Sequence, residues 1–326
     1  MNNFYNGTLI MTFPPDNVEE QMANVDQAWT LLNNKLPEFK NLFHVWSLWH
    51  ENILINPSMH SMISDALIIC YARMALRNGS LSENPRLYHS EKHIDDLLFR
   101  LMAISELPET EQIPDYGWSV LSLFMCSHDL RQSEVNHSNE NIIGNNEQAS
   151  YLEIERLMAL IDTKGVFQNE HKELLKLMIH GSTFSQGEDN NGNIYNGNLM
   201  AVLLKTIDYF EEGDKQLAFL ACDIDTANVA AELTDYAESS INVYNEIQSF
   251  SKTPINAKTF FGEQQQQYFF VMQRFNSHIG VVAFSEQKDK NAPKIKSVSR
   301  VIIGSEDKLS NEEVVELYRQ QIRLML

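Results

Sequence analysis

Along nearly the whole of this 326-residue chain, apolar residues recur at the three-to-four-residue spacing of an α-helix. Strict alternation long enough for a half-buried strand is scarce. A chain patterned this way must bury helix stripes against one another, so the expected fold class is all-α. Hydrophobic residues make up 43% of it, enough for a substantial core in one large domain or two modest ones.

Asn17 to Lys35 and Ser58 to Arg77 read as amphipathic helices, the second ending at Asn78-Gly79, where glycine can take the left-handed C′ conformation. Proline in a first turn gives up only an amide with no helical partner, so NPRLYHSEKHIDDLLFRLMAISEL predicts a helix from Pro85 towards Leu107. DYGWSVLSLFMCSHD is a strongly apolar helix ending at His128-Asp129, and the polar LRQSEVNHSNENIIGNN after it reads as a loop over a pocket mouth. Further helices are expected at Glu147 to Thr163, Asn169 to Ser182, Leu199 to Glu211 and Lys215 to Phe250, with GEDNNGNIYNGN as an intervening turn. Ser310 and Glu313 have the spacing of a capping box that opens a last helix, whereas Phe261 to Gly304 yields only a weak reading.

The formal net charge is −19, and no run of Lys and Arg interleaved with aromatics offsets it, which argues against general nucleic-acid binding. It does not argue against a phosphate ester, because bound cations can reverse the potential inside one pocket. Cys70, Cys126 and Cys222 are far apart in apolar stretches and read as buried free thiols in a reducing compartment. The N-terminus lacks a basic leader, and no segment reaches the roughly 18 uninterrupted apolar residues of a membrane span. The expectation is a cytoplasmic protein without membrane partners. No heptad seam specifies an interface, which leaves homo-oligomer formation open.

Three constellations carry candidate chemistry. Tyr88-His89-x-x-x-His93 would place two imidazoles on one face of the expected helix, about one turn apart. His128-Asp129 sits at a helix end, where both side chains can converge on an ion beside the terminus. Asp223 and Asp225 lie in the apolar LACDIDTANVAAEL, where a carboxylate requires compensation. Each has an ordinary structural alternative: independent imidazoles, a chance dipeptide, a capping or buried hydrogen-bonding acid.

Their order resembles the HD superfamily of metal-dependent phosphohydrolases, in which a histidine, a His-Asp pair and a later aspartate surround one or two divalent ions. Tyr88-His89 with His93 is similar to the motif of cyclic-nucleotide phosphodiesterases and of small bacterial predicted HD phosphohydrolases. In the bacterial group, Asn146-Glu147-x-x-Ser150 resembles the Asn-Glu-Glu-x-Ser element, MIHGSTF falls at an apolar helix ending in threonine, and LACDI falls at the aspartate helix. The likeness covers about residues 85 to 235. Ser127, Leu130-Arg131-Gln132, Gln186 and Ala221 depart from that group's pattern.

The resemblance implies an HD-type helical core over residues 81–250, N-terminal helices over 1–80 packed on it, and a C-terminal extension over 251–326 ending in a helix. It implies His93, His128, Asp129 and Asp223 as ligands of one or two divalent metal ions (Zn, Mn, Fe or Mg), with Asp208 and Asp225 as alternatives for the fourth. Metal-bound water would attack a phosphomonoester or diester, nucleotide-like and small, while His89 protonates the leaving group and Glu147 holds a metal-bound water. Asn146 reads as the helix cap before Glu147. His137 and His180 are lesser candidates for substrate and second-ion contacts, and Asp96 for orienting a ligand imidazole. Gln273 and Phe275 are loose candidates for the purine clamp of a cyclic-nucleotide phosphodiesterase, the alternative enzyme reading. A non-catalytic HD-like module binding a nucleotide or protein is the alternative outside enzymes.

Overall fold

The computed structural model describes residues 13–54, 56–132, 144–188, 194–251 and 253–326, and these form an all-α fold carrying one small hairpin. Around a first apolar core lie α1 (Asn17–Gln21), α2 (Val25–Lys35), α3 (Phe39–Ile53), α4 (Pro57–Arg77), α5 (Glu91–Ile104), α6 (Asp115–Ser127), α7 (Asn145–Ile161) and α8 (Asn169–Gly181). The antiparallel strands β1 (Phe184–Glu188) and β2 (Ile194–Asn198) follow, then α9 (Met200–Leu204) and α10 (Glu212–Asp225). A second core is built by α11 (Leu233–Phe250), α12 (Ala257–Thr259), α13 (Gln265–Gln267), α14 (His278–Gly304) and α15 (Asn311–Leu324), with π-helical stretches Phe260–Gln264 and Tyr268–Met272 flanking α13. The 27 residues of α14 span both cores, with Ile279 in the first and Ile295, Val298 and Ile302 in the second.

At the centre of the first core, α4 is apolar nearly all round, so it is covered on every side, and Ile63, Leu67, Ile69, Cys70 and Met74 are fully buried. Asn56 starts it by accepting hydrogen bonds from the amides of Ser58 and Met59, and Pro57 supplies a preset first turn. Two arginines on this helix are not surface charges. Arg73 Nη1 donates to Glu153 Oε1 at 3.1 Å, while Arg77 Nη2 lies 3.0 Å from Glu153 Oε2 and Arg77 Nε lies 2.7 Å from Asp16 Oδ2. Arg77 Nη1 also donates to the carbonyl of Leu130 at 2.7 Å, which fixes the backbone beside Asp129. The buried charges are thus paired and hydrogen-bonded, the condition under which an interior tolerates them.

Several expected boundaries shift for identifiable reasons. Asn24 caps α2 by accepting from Gln27 N, so Asn17 to Lys35 is two helices. Gly79 is not left-handed; it leaves room for the Glu91 carboxylate, which a Cβ there would displace, Glu91 Oε2 lying 1.5 Å from its position. The expected Lys215 to Phe250 helix is interrupted by a 3₁₀ turn at Ala227–Ala230, and Leu199 to Glu211 shortens to α9. The weakly read Phe261 to Gly304 is helical for most of its length, and the capping box of Ser310 and Glu313 forms as expected. Most of the polar loop after His128-Asp129 lies outside the described residues. All three cysteines are buried and free, and no helix among the described residues is long and apolar enough to cross a membrane.

Candidate metal centre

Three helix ends meet in the first core. Near the start of α5 sits His93, the cap after α6 is His128, with Asp129 following it, and the last residue of α10 is Asp225. His128 Nδ1 lies 3.1 Å from the Phe124 carbonyl, which can only accept; the Nδ1 proton is therefore committed to the backbone and Nε2 is turned inward. His128 Nε2 is buried without a well-aligned hydrogen-bond partner, although two carboxylate oxygens lie within ion-pair distance of it.

The spacing of these donors is the informative quantity. His128 Nε2 is 3.1 Å from Asp129 Oδ2 and 3.4 Å from Asp225 Oδ1, and His93 Nε2 is 3.7 Å and 3.2 Å from the same two oxygens. Two metal–ligand bonds of about 2.1 Å hold their donors about 3.0 Å apart at a right angle and about 3.4 Å apart at the tetrahedral angle. Three of the four contacts lie close to these edge lengths, and the 3.7 Å between His93 and Asp129 is longer. His93, His128 and Asp225 have donor atoms close enough together to hold a metal ion, with Asp129 beside them, and imidazole with carboxylate suits a divalent transition metal. Burial opposes charge on His128, but Asp129 and Asp225 raise its pKa well above the usual imidazole range. Burial would raise both carboxylates, and the neighbouring histidines nevertheless hold them well below the ordinary value. Strong mutual dependence of this kind is what a bound cation would replace.

The fourth ligand position requires a correction. Asp223 is fully buried but faces away from the histidines: its carboxylate accepts from Asn276 N at 3.0 Å, Ser277 N at 2.8 Å and Ser277 Oγ at 2.6 Å, closing the N-terminus of α14. Residues two apart on a helix point about 200° apart, so when Asp225 faces α5 and α6, Asp223 must face elsewhere. A Cβ at Gly280 would lie 2.3 Å from Asp223 Oδ2, so this capping contact demands glycine. Burial raises the Asp223 pKa to about 6 against the lowering effect of Ser277 and Asn276. Asp208, the other alternative, is exposed on the chain after α9.

His89 also differs from expectation. It precedes α5 instead of riding on it, because the Glu246 carboxylate takes the amides of Tyr88 at 2.8 Å and His89 at 3.0 Å. Glu246 also accepts from His89 Nδ1 at 2.6 Å and Arg86 Nη1 at 2.9 Å. This leaves His89 Nε2 facing the centre, 4.0 Å from Asp129 Oδ2. Burial opposes its protonation, but Asp129 and Glu246 together raise its pKa. The Glu246 carboxyl is held at about 2, with His89 overcoming the effect of burial.

Two further residues, not singled out by the sequence, support the centre. Gln132 Nε2 donates to Asp129 Oδ1 at 2.9 Å, and Gln132 Oε1 accepts from Asn146 Nδ2 at 3.1 Å, so one Asp129 oxygen is anchored while the other faces the histidines. Arg100 Nη1 donates to the carbonyls of Ile224 at 3.0 Å and Asp225 at 3.3 Å, satisfying the C-terminus of α10. Asn146 is thus not the cap of α7; that position is Gly144, with φ of 88°. Glu147 lines the cavity, and burial, followed by the Asp129 charge, raises its pKa.

The remaining candidates lie apart. His180 is buried on α8 beside Tyr151 and is absent from the cavity wall, and Asp96 is exposed on α5. Gln273 is buried and engaged by Lys288 and Thr226, so neither it nor Phe275 lines the cavity. His137 lies outside the described residues. The cavity itself, about 800 Å³, runs from His89, His128, Asp129 and Asp225 to the π-helical stretches of the second core. No family model, curated protein or solved structure matches the chain.

Proposed function

We propose that the protein is a metal-dependent phosphohydrolase of HD type, cleaving a small phosphate ester at a centre formed by His93, His128, Asp129 and Asp225. The observation carrying this reading is the set of four nitrogen–oxygen distances between 3.1 and 3.7 Å at the end of a cavity large enough for a nucleotide-sized ligand. The donor set fits one or two divalent cations, which supply Lewis-acid polarisation and a water acidic enough to act near neutral pH.

The chain's own groups account for the rest. Phe124 and Gln132 fix the orientations of His128 and Asp129, so the donors are organised in advance. Glu147 is placed on the cavity wall to accept a proton or hydrogen bond from a water beside Asp129. His89, its Nδ1 proton held by Glu246, presents Nε2 to the cavity, where it donates a proton to a leaving alkoxide.

The test is elemental analysis followed by turnover of bis(p-nitrophenyl) phosphate after reconstitution with Mn²⁺. The reading expects hydrolysis lost in Asp129→Ala together with metal. Full metal loading with no turnover of any phosphate ester would oppose the enzymatic reading and favour a binding role.

A further inference from the structure

Beyond the metal-centre end, the cavity carries an unusual charge pattern. Its wall contains no lysine or arginine among the described residues, although the chain has 25 of them, and beyond the metal centre it does contain the carboxylate of Glu263. Outside the described residues, the segments 133–143 and 189–193 contain neither residue type, and Lys252 is the one such cation. Among cations on neighbouring elements, Arg86 is held by Glu246, Arg100 by the end of α10 and Lys288 by Gln273, while Lys296 lies outside the cavity in an adjoining pocket that shares Glu263 and Gln267. Phosphate groups are ordinarily held by such cations, because a polyanion cannot enter a cavity lined by carboxylates without compensation. What the far wall offers instead is aromatic rings and amides: Phe184, Phe260, Tyr268, Asn228 and Gln264.

We propose that the substrate carries a single phosphoryl group, held at the metal centre, joined to an uncharged planar polar group that fills the far half of the cavity. Nucleoside di- and triphosphates are disfavoured by charge. This rests on the phosphohydrolase reading for the position of the phosphoryl group and adds the class of ester. Rings of Phe260 and Tyr268 suit stacking on a heterocycle, and the exposed amide of Gln264 suits its hydrogen-bonding edge, Asn228 being held by Tyr268 and Ser239. Glu263, exposed at the rim, faces any further phosphate with a like charge.

Calorimetric binding to the Mn²⁺-loaded full chain tests this without requiring turnover, using thymidine 5′-monophosphate, glycerol phosphate and thymidine 5′-triphosphate, with Mn²⁺ in excess. The monophosphate should bind at least 10-fold more tightly than the triphosphate and than glycerol phosphate. Gln264→Lys, at an exposed position, with folding checked by circular dichroism, should narrow the gap between mono- and triphosphate at least fivefold. Equal or tighter triphosphate binding, no preference for the nucleoside over glycerol, an unchanged ratio in Gln264→Lys, or no binding of any probe overturns the proposal. Failure of the hydrolase reading appears separately, as absence of turnover of bis(p-nitrophenyl) phosphate by the same preparation.

Discussion

Replacing Glu246 with glutamine isolates the anion that holds His89. Glutamine keeps a carbonyl oxygen for the amides of Tyr88 and His89 but removes the charge lying 2.6 Å from His89 Nδ1 and the carboxylate that pairs with Arg86. At an effective dielectric of about 20, opposite charges about 4 Å apart interact by about 4 kcal/mol. Because the His89 side chain is 31% exposed, solvent screening reduces this to about 1.5 kcal/mol, or about one pKa unit. The sign is fixed: His89 is raised in the native protein, so its charged form is present below the raised pKa and is lost as pH climbs through it. Glu246→Gln lowers that pKa, and the alkaline limb of kcat/KM against pH should move about one unit towards acid. The assay needs an ester with an alkoxide leaving group, which requires the proton; a p-nitrophenyl ester leaves without it and should show little change. An alkaline limb that stays in place for the alkoxide ester, or moves upward, refutes the assignment of His89 and Glu246.

Other perturbations follow from the same contacts. Arg77→Met leaves Glu153 and Asp16 short of a cation in a buried network and should cost about 3 kcal/mol by denaturant unfolding; a loss below about 1 kcal/mol contradicts the network's role. Gly280→Ala pushes a methyl into Asp223 and should destabilise by at least about 2 kcal/mol, whereas Gly213→Ala, with nothing within 4 Å of the new Cβ, should be neutral or stabilise by up to about 1 kcal/mol. Equal melting-temperature shifts for the two glycine variants would be inconsistent with the close approach. A divalent ion at 100-fold excess over its Kd should add about 2.7 kcal/mol of stability, removable by chelator, and an unchanged melting curve would speak against a site in the native state.

The all-α class was legible because helical periodicity persists along the chain, and the interruption at Asn24 was hidden because both sides of it share one stripe. His93 and His128, two of the three residues in the cluster that could hold a metal, were among those the sequence offered. Choosing between Asp223 and Asp225 was not possible from the sequence, since two carboxylates two residues apart differ only in which neighbouring helix each faces, and that is set by packing of α10 between α5 and α14. Glu246 escaped notice because its partner His89 lies 157 positions earlier, and a lone Glu on an amphipathic helix looks like a solvated one. Gln132 carried no signal in the sequence, because its amide meets Asp129 only in the folded chain.

The most direct test is metal content per chain, by elemental analysis of protein purified without chelator, for wild type, Asp225→Asn and Asp223→Asn, each checked for folding by circular dichroism. The account predicts one to two transition-metal ions per wild-type chain, strong depletion in Asp225→Asn, and retention in Asp223→Asn, whose effect should fall on thermal stability instead. A folded wild type that stays empty when offered Mn²⁺, Zn²⁺, Fe²⁺ or Mg²⁺, or depletion in Asp223→Asn with Asp225→Asn fully loaded, would contradict it.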